Sequence, residues 1–223
     1  MKLVNTFYNF ELDMKENLVA VLSVENPSAY ARIVGTIWQQ VNGQDGDFIL
    51  SDSDKMMSIS KEMDCIFNPF SLECNSKKIL TKLYQELKSQ SDSAMQEETG
   101  VLNRDIINYL DKLLQTVPYN LKYNFDINII DIFKMYDVGI EIQAESLLEN
   151  IVEYLKVASK ICNISTFVFI DLKHYLSTED LERLYESAFY EKINLVMIEP
   201  VHTERLNSEK CWIIDKDLCI IGV

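Results

Sequence analysis

Uninterrupted apolar runs near the two ends of this chain constrain its fold more than any other feature. Leu18-Val19-Ala20-Val21-Leu22-Ser23-Val24 is the first, and it lacks the apolar–polar alternation of a strand with one wet face. Such a run predicts a strand buried on both sides. Glu25-Asn26-Pro27-Ser28 closes it; Pro27 suits a first helical turn and Asn26 its cap. A helix is predicted through Tyr30, Ile33, Val34, Ile37 and Trp38. Gly43-Gln44-Asp45-Gly46 reads as a turn, with short strands expected at 48–50 and 65–67. Later, Thr166-Phe167-Val168-Phe169-Ile170 and Ile193-Asn194-Leu195-Val196-Met197-Ile198 repeat the buried-strand signature. Between them Ser177, with Asp180 three residues on, forms a pair like a capping box, and a helix follows through Leu181, Leu184, Tyr185 and Ala188. Strand, helix, strand in that order predicts a parallel βαβ unit. Trp212-Ile213-Ile214 and Leu218-Cys219-Ile220-Ile221 flank Asp215-Lys216-Asp217, a hairpin signal.

The middle of the chain changes period. Ile79, Leu80, Leu83, Tyr84 and Leu87 mark one amphipathic helix. Val101, Leu102, Ile106, Tyr109, Leu110, Leu113 and Leu114 mark a second, ending before Pro118. Ile129, Ile130, Phe133 and Tyr136 mark a third; Leu147, Leu148, Ile151, Val152, Leu155, Ala158 and Ile161 mark a fourth. The expected fold is an α/β head with a mainly parallel sheet, made from 1–75 and 156–223, bracketing a helical leg over 76–155.

Charge argues against one class of partner. Lys and Arg total 21 against 35 Asp and Glu, a net charge of −14. A monomer with that average surface is a poor nucleic-acid binder, because phosphate neutralisation needs surplus cations. No run of about 18 apolar residues exists, so no membrane span is expected. The N-terminus reaches Glu11 and Asp13 without an apolar core, so it does not read as a signal peptide. The cysteines, Cys65, Cys74, Cys162, Cys211 and Cys219, are odd in number and show no C-x-x-C spacing. Free buried thiols in a reducing cytoplasm are expected. The two histidines, His174 and His202, lie far from paired cysteines, so no zinc site is expected.

Few residues carry obvious chemistry. Asp171 follows an apolar strand, like the carboxylate that holds Mg²⁺ in P-loop NTPases. Yet Glu25-Asn26-Pro27-Ser28-Ala29-Tyr30, where a phosphate loop belongs, has no glycine and no Lys-Ser or Lys-Thr. No G-x-S-x-G elbow occurs either. His174 lies just past the Asp171 strand end, where α/β enzymes place catalytic groups, though a surface histidine is the plainer reading. Asp126, Asp131, Asp137, Glu141 and Glu145 cluster in sequence; they suit a hard cation, or simply a solvated face. Lysines collect in the helical part at Lys77, Lys78, Lys82, Lys88, Lys112, Lys122 and Lys134. They are solubilising charges, or a local positive stripe that net charge conceals.

Three stretches shift that balance. They are Leu22-Ser23-Val24-Glu25-Asn26-Pro27-Ser28-Ala29-Tyr30-Ala31-Arg32-Ile33-Val34, then Thr166 through Ser177 with the helix and strand that follow, then Trp212 through Ile221. In order, spacing and total length the chain resembles the CRISPR-associated adaptation proteins specific to type II-A systems. Val138-Gly139-Ile140-Glu141-Ile142-Gln143 is similar to that family's junction between helices. The resemblance implies a P-loop-NTPase-like head that has lost nucleotide binding, and an inserted helical leg. It implies a ring-shaped homotetramer in the cytoplasm that binds Ca²⁺ and encircles double-stranded DNA, preferring ends without reading sequence. It implies a non-catalytic role in spacer acquisition beside the integrase proteins and the effector nuclease. By position, Asp126, Asp131 and Glu141 match the family's acidic metal positions, with Gln143 nearby, and Lys134 falls at a lysine position. From Tyr119 to Phe125 the chain has Asn and Lys where relatives carry more carboxylates. Lys122, Lys78 and Lys82 join the DNA-binding set on charge grounds. A degenerate P-loop ATPase or nuclease accessory enzyme using Asp171, and a protein-only scaffold, are the alternatives. A closed ring can carry an acidic exterior and a basic lumen, which removes the force of the net charge.

Overall fold

The computed structural model describes residues 1–53 and 55–222. Its strands are β1 (Lys2–Asn5), β2 (Phe10–Asp13), β3 (Val19–Val24), β4 (Phe48–Asp52), β5 (Lys55–Met57), β6 (Met63–Ile66), β7 (Thr166–Ile170), β8 (Asn194–Glu199), β9 (Glu209–Ile214) and β10 (Ile220–Gly222). Its helices are α1 (Pro27–Val41), α2 (Ile59–Glu62), α3 (Lys77–Ser93), α4 (Gln96–Leu114), α5 (Ile129–Met135), α6 (Leu147–Cys162) and α7 (Thr178–Tyr190). The chain divides into two compact units, one of 1–74 with 142–223, the other of 75–141.

The first unit is α/β. Its larger sheet runs β10-β9-β3-β8-β7-β6. Strands β9, β3, β8, β7 and β6 are parallel, and β10 closes the edge antiparallel to β9. All six residues of β3 and all five of β7 are buried, as their mainly apolar, non-alternating sequence predicts, with Ser23 and Thr166 as the polar members. Alternate residues serve two cores. Ala20, Leu22, Val24, Val168 and Val196 join Ile33 and Ile37 of α1 on one face. Val19, Val21, Phe167, Phe169, Leu195 and Met197 join α6 and α7 on the other.

Two expectations need correcting. The head is mainly parallel only in this larger sheet; β2-β1-β4-β5 form a second sheet that is antiparallel throughout. Its Leu3, Leu12, Phe48 and Leu50 enter the same core as α1. The helical unit also ends at Glu141 rather than near 155. Helix α6 belongs with the sheets because Ile151, Leu155 and Ala158 are buried against β7 and β8 residues.

The second unit is built on α3, which contacts both α4 and α5. Tyr84 donates from its hydroxyl to Val138 O at 2.8 Å, and its ring lies 5.7 Å from that of Phe133. Ser91 and Thr99 share a hydroxyl hydrogen bond of 2.8 Å across the α3–α4 turn. Asn75 acts as a clamp: its Oδ1 accepts from Ile140 N at 2.8 Å and its Nδ2 donates to Ile140 O at 2.9 Å. Gly139 gives the clamp room, since a Cβ there would sit 2.8 Å from Asn75 Oδ1.

The cysteines are free thiols. Burial pushes Cys65 up to about 12 and Cys74 up to about 11, so both are protonated and inert at neutral pH. No helix among the described residues is long and apolar enough to cross a membrane.

Candidate functional site

In the helical unit the lysines of α3 sit at an energetic disadvantage. Lys77 and Lys78 occupy the first turn, where the helix dipole is positive, and the preceding Ser76 side chain provides no cap. Lys82 lies one turn beyond Lys78, an i,i+4 pair of like charges. Lys78, Lys82 and Lys122 are exposed, and none has an ion-pair or hydrogen-bond partner for its ammonium group among the described residues. A helix selected only for its own stability places acids in its first turn instead.

The acidic positions are exposed as well. On α5, Asp131 accepts from Lys134 Nζ at 3.2 Å and from Asn128 Nδ2 at 2.7 Å. Asp126 lies before α5, its backbone N–H 3.4 Å from Asn124 Oδ1. Glu141 follows the Asn75–Ile140 clamp. So Asp131 and Lys134, both chosen from sequence, are in contact. Among the described residues Asp126, Asp131 and Glu141 do not bring their ligand atoms to one point. Their oxygen chemistry fits a hard cation, but the carboxylates are not gathered around one.

A different cluster is gathered. It stands at the carboxyl edge of the large sheet, where the register sets Ser23 of β3 against Glu199 of β8, and Ile170 of β7 against Ile198. Asp171 continues the sheet by donating its N–H to Ile198 O at 2.9 Å, then turns with φ +58. Aspartate tolerates this left-handed geometry better than most residues. A short 3₁₀ turn, Leu172–His174, brings His174 Nδ1 into contact with Asp171 Oδ1. Asp171, His174 and Glu199 each offer a ligand atom within 4.8 Å of the others.

Glu199 is fully buried. Its Oε1 accepts from Lys173 N at 3.2 Å, while Oε2 has no hydrogen-bond partner among the described residues. Burial pushes its carboxyl up to about 7, against a smaller downward pull from the Lys173 N–H. Tyr30 of α1 is pushed up to about 12, first by burial and then by the charges of Asp171 and Glu199. Nearby Glu209 offers a contrast. Equally buried, it meets Lys173 Nζ at 2.8 Å, the Tyr185 hydroxyl at 2.7 Å and Leu206 N at 2.9 Å. Sequence reading singled out Asp171 and His174 but did not single out Glu199. The available signal was a carboxylate closing the apolar run Leu195-Val196-Met197-Ile198.

The helix following β3 offers nothing to a phosphate. Asn26 Oδ1 already accepts from Ser28 N at 3.0 Å and Ala29 N at 3.1 Å, and Pro27 has no N–H.

The comparisons with known proteins agree with the resemblance. The family described as CRISPR-associated protein (Cas_Csn2) matches residues 40–218. The chain belongs to that family. A curated relative, the CRISPR-associated protein Csn2 of Streptococcus agalactiae, is 23% identical over 207 residues, covering 91% of this chain and 90% of its own. Solved structures are far more distant. The ADP-bound cassette of an ABC transporter is 10% identical with a TM-score of 0.44, over 92% of this chain and 79% of that one. A nucleotide-free cassette is 12% identical with a TM-score of 0.43, over 93% and 81%. Membership of the Cas_Csn2 family therefore rests on sequence, and these cassettes carry no argument about activity.

Proposed function

We propose that this Cas_Csn2 protein is a non-catalytic, double-stranded-DNA-end-binding ring of four copies that acts in spacer acquisition. It would work in the cytoplasm with the CRISPR integrase proteins and the effector nuclease. Family membership supports the CRISPR role. The observation that carries the DNA contact is the unpaired lysine set, Lys78 and Lys82 one turn apart on α3, with Lys122. Lys134 joins them once a phosphate competes with Asp131 for its ammonium group. Solvated cations held without partners are available to phosphate at little cost. The four-copy assembly is supported by α4, on which no residue is buried and Val101, Leu102, Ile106, Tyr109 and Leu113 are exposed.

Ca²⁺ is proposed at Asp126, Asp131 and Glu141, which supply the oxygen donors such an ion takes. Bound there, it would neutralise carboxylates that otherwise repel phosphate. The head is proposed as a degenerate P-loop-NTPase-like fold without turnover. The capped start of α1 supports this, because its N–H groups are spent on Asn26.

A gel-shift series on linear and covalently closed duplex, with Ca²⁺ or with chelator, tests this function. Salt-sensitive, sequence-independent binding to linear DNA, promoted by Ca²⁺ and much weaker on closed circles, is expected. Equal binding to closed circles sinks the ring. No DNA affinity at low salt with Ca²⁺ leaves a protein-only scaffold. ATP turnover abolished by Asp171→Asn makes the chain an enzyme instead.

A further inference from the structure

We propose that Asp171, His174 and Glu199 bind one first-row transition-metal dication at the carboxyl edge of the large sheet. The site lies in the α/β unit and shares no residue with the proposed Ca²⁺ and DNA positions, so it does not depend on that function. Three ligand atoms lie within 4.8 Å of one another: two carboxylate oxygens and an imidazole nitrogen.

Proximity of acids alone is common on an acidic protein. What points to a ligand here is the floor of the cluster. Glu199 has 0% exposure, yet its Oε2 lacks a hydrogen-bond partner among the described residues. Its register neighbour on the same sheet face, Ser23, is 1% exposed with Oγ likewise unpartnered. Buried polar atoms are nearly always satisfied, and an orphaned carboxylate oxygen is among the costlier exceptions. The same sheet shows that the fold can satisfy a buried glutamate, because Glu209 takes a lysine, a tyrosine and a backbone N–H. Glu199 receives only Lys173 N. A cation joining its carboxylate to Asp171 and His174 completes the set.

The donor types choose the ion. An imidazole nitrogen beside carboxylates suits zinc and its first-row neighbours better than Ca²⁺ or Mg²⁺, which prefer oxygen throughout. Oxygen ligands stand in for cysteine, so the absence of paired thiols near His174 is no obstacle. Three protein ligands with an exposed His174 leave a position for water. Metal binding competes with protons for its ligands, so uptake weakens in acid. The ion would pin the turn after β7 to the end of β8.

Calorimetric titration of the chelator-stripped full chain with Zn²⁺, with and without excess Ca²⁺, tests the site. One Zn²⁺ per chain, not displaced by Ca²⁺, is expected. His174→Ala and Glu199→Gln should each weaken it by more than the ~10–100-fold lost with an outer-shell partner. Circular dichroism checks that each variant is folded; His174 is exposed, and Glu199→Gln removes a buried charge at constant shape. The combined Asp126→Asn, Asp131→Asn, Glu141→Gln variant should bind Zn²⁺ as the parent does. Absence of Zn²⁺ uptake, equal uptake by both cluster variants, displacement by Ca²⁺, or loss in the combined variant each overturns the site. Failure of the DNA experiment leaves it standing.

Discussion

Among the described residues, Lys173 and Glu209 form the ion pair most removed from solvent, with side chains 5% and 0% exposed and 2.8 Å apart. Such a pair need not stabilise the fold relative to two apolar residues, because both charges lost their water. Breaking it is another matter. Lys173→Met keeps most of the apolar stem but removes the ammonium group, leaving Glu209 without its cation beside the Tyr185 hydroxyl and Leu206 N. Unfolding in denaturant should show a loss of about 3–5 kcal/mol. A loss within experimental error would mean that the Tyr185 hydroxyl and Leu206 N satisfy Glu209 without the lysine. Residues of this kind explain what sequence could reveal of the sites. Asp171 and His174 are three positions apart, so their proximity follows from local spacing. Glu199 reaches them only through the β7–β8 register, which couples positions 28 apart in the sequence and leaves no local trace. On the helical unit, the family resemblance brought in Asp131 and Lys134 separately; their i,i+3 contact appears only in the structure, and sequence did not say whether distant Asp126 or Glu141 would join them.

Among the elements, α1 shows how a few residues fix a boundary. Pro27 starts the helix, Asn26 caps it, and Asn26 Nδ2 also donates to Lys216 O at 3.0 Å, tying the helix start to the β9–β10 turn. Asn26→Ala removes the cap and the tie and should cost roughly 2 kcal/mol, the upper part of the capping range. Asn26→Asp keeps the acceptor and loses only the donor, so its midpoint should fall between parent and Ala variant. Equal losses in the two variants would place the whole effect in the Lys216 contact. Helices α1, α3, α4, α6 and α7 were readable because each is long enough to show its period, and strands β3, β7 and β8 because each lies in a dense apolar run. Of the antiparallel sheet only β4 was readable. Its strands are three to five residues long, and β1 pairs with β4 across more than forty residues. Helix α6 was readable as a helix but not as part of the head, because period identifies an apolar face without naming the core that receives it.

For the whole molecule the net charge of −14 sets the terms on which DNA can be approached. A surface of that sign repels phosphate, so the proposed function needs both exposed cations and something to quiet the nearby acids. Lys134 and Asp131 form a pair with side chains 61% and 63% exposed, and such pairs contribute at most ~1 kcal/mol to stability. Lys134→Ala therefore reports on DNA with little disturbance of the fold and should lower the salt slope of binding by about one. The acids allow a sharper test. If Asp126, Asp131 and Glu141 only repel phosphate, neutralising all three raises DNA affinity by the same factor at every calcium concentration. If they hold Ca²⁺, neutralisation does in the absence of calcium what the ion does in the parent, and added calcium then has no further effect. The proposed function predicts the second pattern for Asp126→Asn, Asp131→Asn, Glu141→Gln: binding without calcium near the parent's calcium-bound level, and a flat calcium response. A calcium response that survives in the variant would place the ion on other ligands, and the acidic segment would then be the solvated face that its exposure alone describes.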